Sequence, residues 1–380
     1  MGAQPRVLAA LSGGVDSSVA ALLLKQQGYS VVGAFLRNGV SAEAKACRPR
    51  QGCCSVEDAR DAARVADLLD IPFHALDMAE EFRQIQSYFR REYQQGRTPN
   101  PCAVCNRDIK FGALLAFADA VGAEFIATGH YARLHLSEEG PILRRGVDRR
   151  KDQSYVLFPV GAKALARTLL PLGDLPKSET RRLAKQAGLP VFGKADSQEI
   201  CFVPSGDYRD VLRAGGGLGK PGRFVSPDGR VLGTHGGHMA FTRGQRRGLG
   251  LSAPHPLYVL HVDPLSGDVW VGRREQSLTA EARVRGFTAY GPGLELGGDW
   301  QAVEIQHRSS PGGVPGRARW TSSQILEVQF QPAVASVTPG QGLAIYQEDR
   351  LLGGGWIESA PLVDLPVLAG GAAGGPAEIS

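Results

Sequence analysis

The sequence predicts an α/β domain built on a parallel sheet, followed by a β-rich half. Two observations carry this. Over the first two hundred residues short apolar runs alternate with segments of helical spacing, and beyond about Pro204 helical spacing fades while Gly and Pro crowd between short β-like runs. Strands alternating with helices argue for a parallel sheet covered on both faces, whose ligands bind beyond the carboxyl ends of the strands. Short strands between regular turn signals argue for a small barrel or sandwich. At 380 residues the chain exceeds what one core organises, so several domains are expected: 1–204, 205–276 and 277–363, with a Gly/Ala/Pro-rich tail over 364–380 expected to be disordered.

The elements follow in order. Arg6–Leu11 and Ser30–Leu36 are strand-like, and Ser17–Gln27 between them has helical spacing. Ser55 to Leu69 reads as a helix with Ser55 as N-cap and Asp58 three residues on, with Pro72 beyond its end. Phe73–Leu76 and Glu124–Thr128 are strands; Phe82–Gln94 and Phe111–Val121 are helical, and Lys177–Ala187 is a helix stopped by Gly188 and Pro190. In the second half Arg223–Val225, Tyr258–Val262, Val269–Val271, Ala302–Gln306, Ala318–Trp320, Ile325–Phe330 and Leu343–Tyr346 are the β-like runs.

Composition narrows the class. No apolar run approaches ~18 residues, so a membrane-spanning helix is not expected, and Met1–Leu11 lacks a basic leader, which points to the cytoplasm. Six cysteines are too few for a disulfide scaffold and read better as ligands, reactive thiols or small apolar residues. Net charge is +5, yet residues 140–185 hold 11 Lys or Arg against 4 Asp or Glu, and residues 209–250 hold 8 against 2. That concentration is the footprint of a polyanion binder, or of solvated helix faces.

The strongest motif is Ser12-Gly13-Gly14-Val15-Asp16-Ser17-Ser18, between a strand and a helix. Two glycines allow a tight turn and close approach of a ligand; successive N–H groups, the Ser12 and Ser17 hydroxyls and the helix N-terminus then form an anion cradle. The lysine of a GxxxxGK[ST] loop is missing, which favours pyrophosphate release over γ-phosphate chemistry.

The second motif is Thr98-Pro99-Asn100-Pro101-Cys102-Ala103-Val104-Cys105-Asn106, a rigid loop expected to lead into a helix starting near Asp108. A cysteine at a helix N-terminus has a lowered pKa and reacts as thiolate. Cys201 follows 96 positions after Cys105. Three readings stay open. Cys102 and Cys105 could join Cys47, Cys53 or Cys54 around zinc; Cys102, Cys105 and Cys201 could ligate an iron–sulfur cluster; or Cys105 and Cys201 could be a catalytic pair, one carrying a persulfide.

The loop string resembles that of the ATP-pyrophosphatase (PP-loop) superfamily, whose members adenylate a substrate and release pyrophosphate. The resemblance implies that Ala10, Leu11, Ser12, Gly13, Gly14, Val15, Asp16, Ser17 and Ser18 hold ATP, that Asp16 helps to bind Mg2+, and that Leu36 and Gly129 line the adenosine pocket. TPNPCAVCN with Ile109–Phe111, ATGHYAR at 127–133, Lys151-Asp152-Gln153-Ser154-Tyr155, DSQEICF at 196–202 and Leu352-Gly353-Gly354-Gly355 together resemble the tRNA-specific 2-thiouridylase family, in order over nearly the whole chain. This implies a PP-loop domain, a small central β domain and a C-terminal β-barrel. It also implies thiolation at C2 of the wobble uridine of tRNAs for Lys, Glu and Gln, with Cys105 as nucleophile and Cys201 as persulfide carrier. Asn100, Pro101 and Cys102 match the loop facing the target base, and His130, Lys151, Asp152, Gln153, Arg319, Trp320 and Gln341 match tRNA-contacting positions. Two departures stand out: many members have Asp where this chain has Cys102, and Trp320 stands where Tyr is usual. The implied partners are the tRNA anticodon loop and a sulfur-donor protein, a cysteine desulfurase or a relay carrier, acting with a monomer. Two rival readings are an adenylating amide or amidine ligase and an RNA-binding module that uses ATP as a switch.

Overall fold

The structure, a computed structural model, describes residues 4–39, 56–196, 200–203, 206–321 and 325–365. The Ser55 cap, Cys47, Cys53 and Cys54, Ser197–Glu199 of the DSQEICF string and all but the first two residues of the 364–380 tail lie outside that description.

The first sheet has five strands in the order β3-β2-β1-β4-β7: β1 Arg6–Ala10, β2 Ser30–Arg37, β3 Phe73–Asp77, β4 Phe125–Ala127 and β7 Thr168–Leu169. Every neighbouring pair is parallel. The chain winds outward from β1 through β2 and β3, then returns to the other side of β1 with β4. That reversal makes a crevice at the carboxyl ends of β1 and β4, the usual ligand position in such a sheet. Burial on both faces explains the near-continuous apolar strands, with Val7, Leu8, Ala34 and Ile126 inaccessible to water.

Helix α1 (Val15–Gln26) leaves β1 and is buried along most of its length, because the sheet lies on one side and helix Lys177–Gln186 on another. Asp16 in its first turn and Lys25 in its last complement the helix dipole. Helix α2 (Val56–Leu68) buries Ala62, Val65 and Ala66 against the same core. Helix α3 (Ala79–Gln94) turns Phe82, Ile85, Phe89 and Tyr93 inward at helical spacing, each such burial contributing roughly 1.5–3 kcal/mol.

The cysteine helix begins earlier than the sequence suggested. Asn100 caps it, its side-chain oxygen accepting the Ala103 N–H at 3.2 Å, and Pro101 takes the first helical position, where its missing N–H costs nothing. Helix α4 (Pro101–Cys105) continues as a π-helical stretch over Asn106–Ala113 and then as α5 (Leu114–Ala120). Cys102 therefore lies in the first turn, while Cys105 lies a turn inside.

A hairpin not anticipated from sequence, β5 (Ala132–Ser137) and β6 (Gly140–Arg145), leaves the first domain and joins the last sheet beside Arg350–Ser359. Arg133 and Arg144 both pair with Asp349 there. The middle region holds a four-stranded sheet, and the last region closes six strands into a barrel through pairing of Leu278–Ala289 with Arg350–Ser359. No helix of the described residues is long and apolar enough to cross a membrane.

Candidate active site

The loop 11–18 sits at the crevice between β1 and β4. The Leu11 N–H still donates to Ala34 O, 2.8 Å away, and the chain then leaves the sheet. Ser12 N donates to Ser17 Oγ at 3.0 Å, the two hydroxyls lie 3.1 Å apart, and Ser18 Oγ donates to Gly14 O at 2.8 Å. The loop is thus braced from within. Val15 and Ser18 face the core, while Ser12, Gly14 and Asp16 remain partly accessible.

Gly13 has φ +69°, and a Cβ there would overlap the Asp58 carbonyl. Gly129 packs on the loop from β4, where a Cβ would come 2.8 Å from Ser17 N. Both positions demand glycine. Gly13→Ala is expected to lower stability by more than the ~1 kcal/mol of the backbone effect alone, since Asp58 must move too; a melting curve showing no loss would contradict this.

Around the loop the structure gathers charged groups that sequence reading did not single out. Lys177 Nζ lies 2.6 and 2.8 Å from the two Asp16 oxygens and 2.9 Å from Asp196 Oδ1. The Tyr131 hydroxyl donates to Asp16 Oδ1 at 2.8 Å. Lys194 Nζ holds Gly13 O at 2.9 Å, Asp58 at 2.6 Å and Asp61 at 2.9 Å. In the sequence Asp58 reads as part of a helix cap, Asp196 as the first residue of the DSQEICF string and Lys177 as part of the basic excess over 140–185; Lys194 and Asp61 carry no signal.

Asp16, the expected Mg2+ ligand, here has its charge met by the Lys177 ammonium. A lone carboxylate completed by phosphate oxygens and water is a normal magnesium donor set, so the residues fit that ion. Leu36, at the end of β2, packs with both the sheet core and the cysteine cluster.

Cys105 and Cys201 fall in one apolar cluster with Phe82, Phe89, Val104, Ile109 and Phe202. Cys105 is buried, Cys201 half-buried and Cys102 exposed. Burial pushes the Cys105 thiol up to about 12; Lys110 pulls it down, and Cys201 and Cys102 push it further up. This corrects the expectation of a lowered value. The helix starts at Pro101, so Cys105 does not sit at its positive end, and loss of water outweighs the dipole. Among the described residues no group of three His, Cys, Asp or Glu is gathered to hold a metal ion.

The expected tRNA-contacting residues divide. Asn100 is buried as the helix cap, and His130 is buried with its Nδ1 2.7 Å from Thr128 Oγ1 and is kept neutral by that burial. Lys151 pairs with Asp196 at 2.7 Å. Asp152 accepts from Gly146 N, Ser154 N and Ser154 Oγ, and Gln153 Oε1 accepts from Tyr131 N at 3.0 Å. These three brace the turn rather than stand free on it. Arg319 bonds Glu327 at 2.6 Å and lies over the Trp300 ring, and Trp320 packs edge-on against Phe287; both keep partial exposure on the barrel. Gln341 Nε2 donates to Pro99 O at 2.6 Å, and Thr98 N donates to Pro339 O at 2.9 Å, so the barrel supports the cysteine loop directly. Gln341→Leu should loosen that loop and leave the Pro99 carbonyl without this donor; accelerated proteolysis near residues 97–102 checks it.

Fold and site together define an α/β phosphate-loop protein of the PP-loop class, with a thiol pair at the carboxyl edge of its sheet and a β-barrel behind the cysteine loop. Family models described as "tRNA methyl transferase HUP domain", "tRNA methyl transferase PRC-barrel domain" and "Aminomethyltransferase beta-barrel domain" match residues 5–205, 216–273 and 295–357. The chain is 44% identical over 362 residues to "tRNA-specific 2-thiouridylase MnmA" of Acidithiobacillus ferrooxidans, covering 94% of this chain and 99% of the relative. It is 42% identical over 391 residues to the protein of that name from Rhodopirellula baltica, covering 93% and 96%. The protein of that name from Desulforamulus reducens is 44% identical over 365 residues, covering 94% and 98%. This chain belongs to the tRNA-specific 2-thiouridylase family.

Proposed function

We propose that this protein is an ATP-dependent tRNA sulfurtransferase that replaces the C2 oxygen of the wobble uridine in tRNAs for Lys, Glu and Gln by sulfur. The observation that carries the reading is the sharing of one apolar cluster by Cys105 and Cys201, against which Leu36 and Leu76 at the carboxyl ends of β2 and β3 also pack.

Uracil O2 is too poor a leaving group to depart unaided. The uridine oxygen attacks the α-phosphorus of ATP seated in the loop, and pyrophosphate leaves. The loop N–H groups and the start of α1 hold the phosphates. Asp16 would hold Mg2+ together with the phosphate oxygens, and the ion would supply neutralisation of the triphosphate charge. The outer sulfur of a persulfide on Cys201 then attacks C2; AMP departs with the former O2. Cys105 attacks the Cys201 sulfur, which releases the transferred atom as the C2 thiocarbonyl and leaves a Cys105–Cys201 disulfide. Two electrons from a thiol reductant, and a new sulfur from a donor protein, restore the enzyme. Cys102, exposed at the mouth of this site, faces the base, and Lys151–Gln153, Arg319 and Trp320 form the surroundings of the anticodon loop, while the buried Asn100, Pro101 and His130 and the Pro99-bonded Gln341 support that surface from behind. A base reached this way must leave its stack, which suits a single-stranded loop. The domain limits proposed remain 1–204, 205–276 and 277–363, with the 132–145 hairpin lent to the last sheet.

The words "methyl transferase" in the matched descriptions name a chemistry that would leave this site idle. An electrophilic methyl group needs no adenylated oxygen, no pyrophosphate release and no second thiol. The deciding experiment supplies unmodified tRNA, ATP, Mg2+ and a persulfide donor. AMP, pyrophosphate and 2-thiouridine should form in equal amounts, each dependent on tRNA; thiouridine formed without ATP, or AMP formed without tRNA, would contradict the reading.

A further inference from the structure

We infer that Lys110 is a positioning residue for the sulfur exchange, the cation that steadies the Cys105 sulfur as an anion for its attack on Cys201. The inference deepens the sulfurtransferase reading and rests on it.

The backbone puts Lys110 on the Cys105 face. Cys105 is the residue before the π-helical stretch Asn106–Ala113, whose bonds run from an N–H to the carbonyl five residues back, as from Leu114 N to Ile109 O. In an α-helix residues three and four apart share a face, and a residue five apart is turned well away. The wider turn brings residue 110 back over residue 105. Gly112 shows the same register, since a Cβ on it would come 3.1 Å from the Arg107 carbonyl, five positions earlier. The residues on either side of Lys110 fix where it emerges. Ile109 is buried in the cysteine cluster, and Phe111 is buried in the sheet core with its ring 6.0 Å from that of His130. Lys110 therefore stands at the seam between the thiols and the strand end that carries Gly129 and His130. Its charge reaches His130 too, adding to the burial that keeps that ring neutral.

The ammonium is available there. Lys110 is half-buried, and among the described residues no carboxylate forms an ion pair with it; Asp108, the nearest in sequence, is held by Arg107 at 2.6 Å. Burial opposes an anion on Cys105 most strongly; Lys110 favours one, and Cys201, Cys102 and Asp108 oppose it. The elements packed on the cysteine helix bring Tyr88 and Tyr93 from α3 and Tyr155 from the turn Ser154–Leu157, all kept uncharged by burial. In the exchange Cys105 gives its proton to water and its electron pair to a new bond with the Cys201 sulfur. The bond from Cys201 to the transferred sulfur breaks, and its pair passes to the sulfur on C2, which becomes the thiocarbonyl. The ammonium acts on the thiolate that starts this step.

The test uses the full chain and two readouts. Iodoacetamide alkylation of Cys105 is followed by peptide mass spectrometry at pH 8, without nucleotide or tRNA. Lys110→Met should react about fourfold more slowly: its thiolate fraction drops about tenfold, and the greater nucleophilicity of a more basic sulfur restores part. Lys110→Arg should stay within about twofold of the wild type. A merely structural role would loosen the packing and speed alkylation instead. In single turnovers with saturating unmodified tRNA, ATP, Mg2+ and persulfide-loaded enzyme, acid quenching should trap tRNA disulfide-bonded to Cys201. Lys110→Met should hold several-fold more of it per pyrophosphate released than the wild type or Lys110→Arg, with Cys105→Ala as the upper reference. Lys110→Gln takes the place of Lys110→Met if that variant does not fold. A Cys105 rate undiminished in the uncharged variant, or no rise in trapped tRNA, overturns the role of Lys110 alone. A wild type that forms no 2-thiouridine overturns the sulfur-transfer reading and this inference with it.

Discussion

Cys105→Ala and Cys201→Ala are each expected to lower 2-thiouridine formation by at least about a thousandfold, while tRNA-dependent pyrophosphate release continues. The split follows from the geometry. The thiols lie in the cluster around Phe89 and Phe202, whereas the phosphate loop is braced by its own serines and by Lys194. Alanine is the right replacement at Cys105, because serine would bury a hydroxyl among apolar side chains. The small cavity left should cost only about 1 kcal/mol, so loss of activity would not reflect unfolding. Nucleoside mass spectrometry of single-turnover reactions, beside a pyrophosphate assay, checks both halves. Full thiolation by either variant would remove the covalent route.

The second large effect is on pH. With its thiol pushed up to about 12, Cys105 of the nucleotide-free protein holds very little thiolate near neutrality. Its alkylation rate should climb about tenfold for each pH unit from 7 to 10, whereas an ordinary thiol of pKa about 8.5 levels off within that range. The stability effect has the matching sign. Burial favours the protonated thiol, so its contribution is complete below the unfolded value and is lost as pH rises towards about 12. Cys105→Ala should therefore be the less alkali-sensitive protein. A Cys105 rate already flat above pH 8 would contradict this burial. For the reaction, the consequence is that Cys105 becomes a nucleophile only after its surroundings change, through a move towards Lys110 or contact with the bound substrate.

Much of this was legible in the sequence, because local signals sit in the right places. SGGVDSS between a strand and a helix, the alternating elements around it and Ala127–Gly129 at a strand end lead directly to the crevice at the turn in strand order. The residues alone leave zinc, cluster and catalytic-pair readings of the cysteines open, and the family resemblance singles out Cys105 and Cys201, which the fold brings into one cluster. Other features were hidden because they depend on contacts across the chain. Lys177 carries no motif and Asp196 is visible only as the first residue of the DSQEICF string; the packing of α1 against the Lys177–Gln186 helix closes the triangle with Asp16. Pro99 and Pro101 read as loop residues, which places the expected start of the cysteine helix near Asp108. Yet Asn100 followed by Pro101 is a normal cap and first turn, and moving the start seven residues back buried Cys105 and reversed the expected direction of its pKa. The 132–145 hairpin carries as many charged residues as apolar ones, five of each, and is held by Asp349, a partner more than two hundred positions away. Gln341 read as an outward contact, but its amide is spent on the Pro99 carbonyl.

The claim beneath all of this is that a single sulfur passes between two thiols that meet next to the loop. Non-reducing peptide mapping after one turnover, starting from enzyme carrying isotopically labelled persulfide on Cys201, tests it most directly. The account predicts one Cys105–Cys201 disulfide for each labelled 2-thiouridine; labelled product with both cysteines still free, or with the label retained on Cys105, would contradict it.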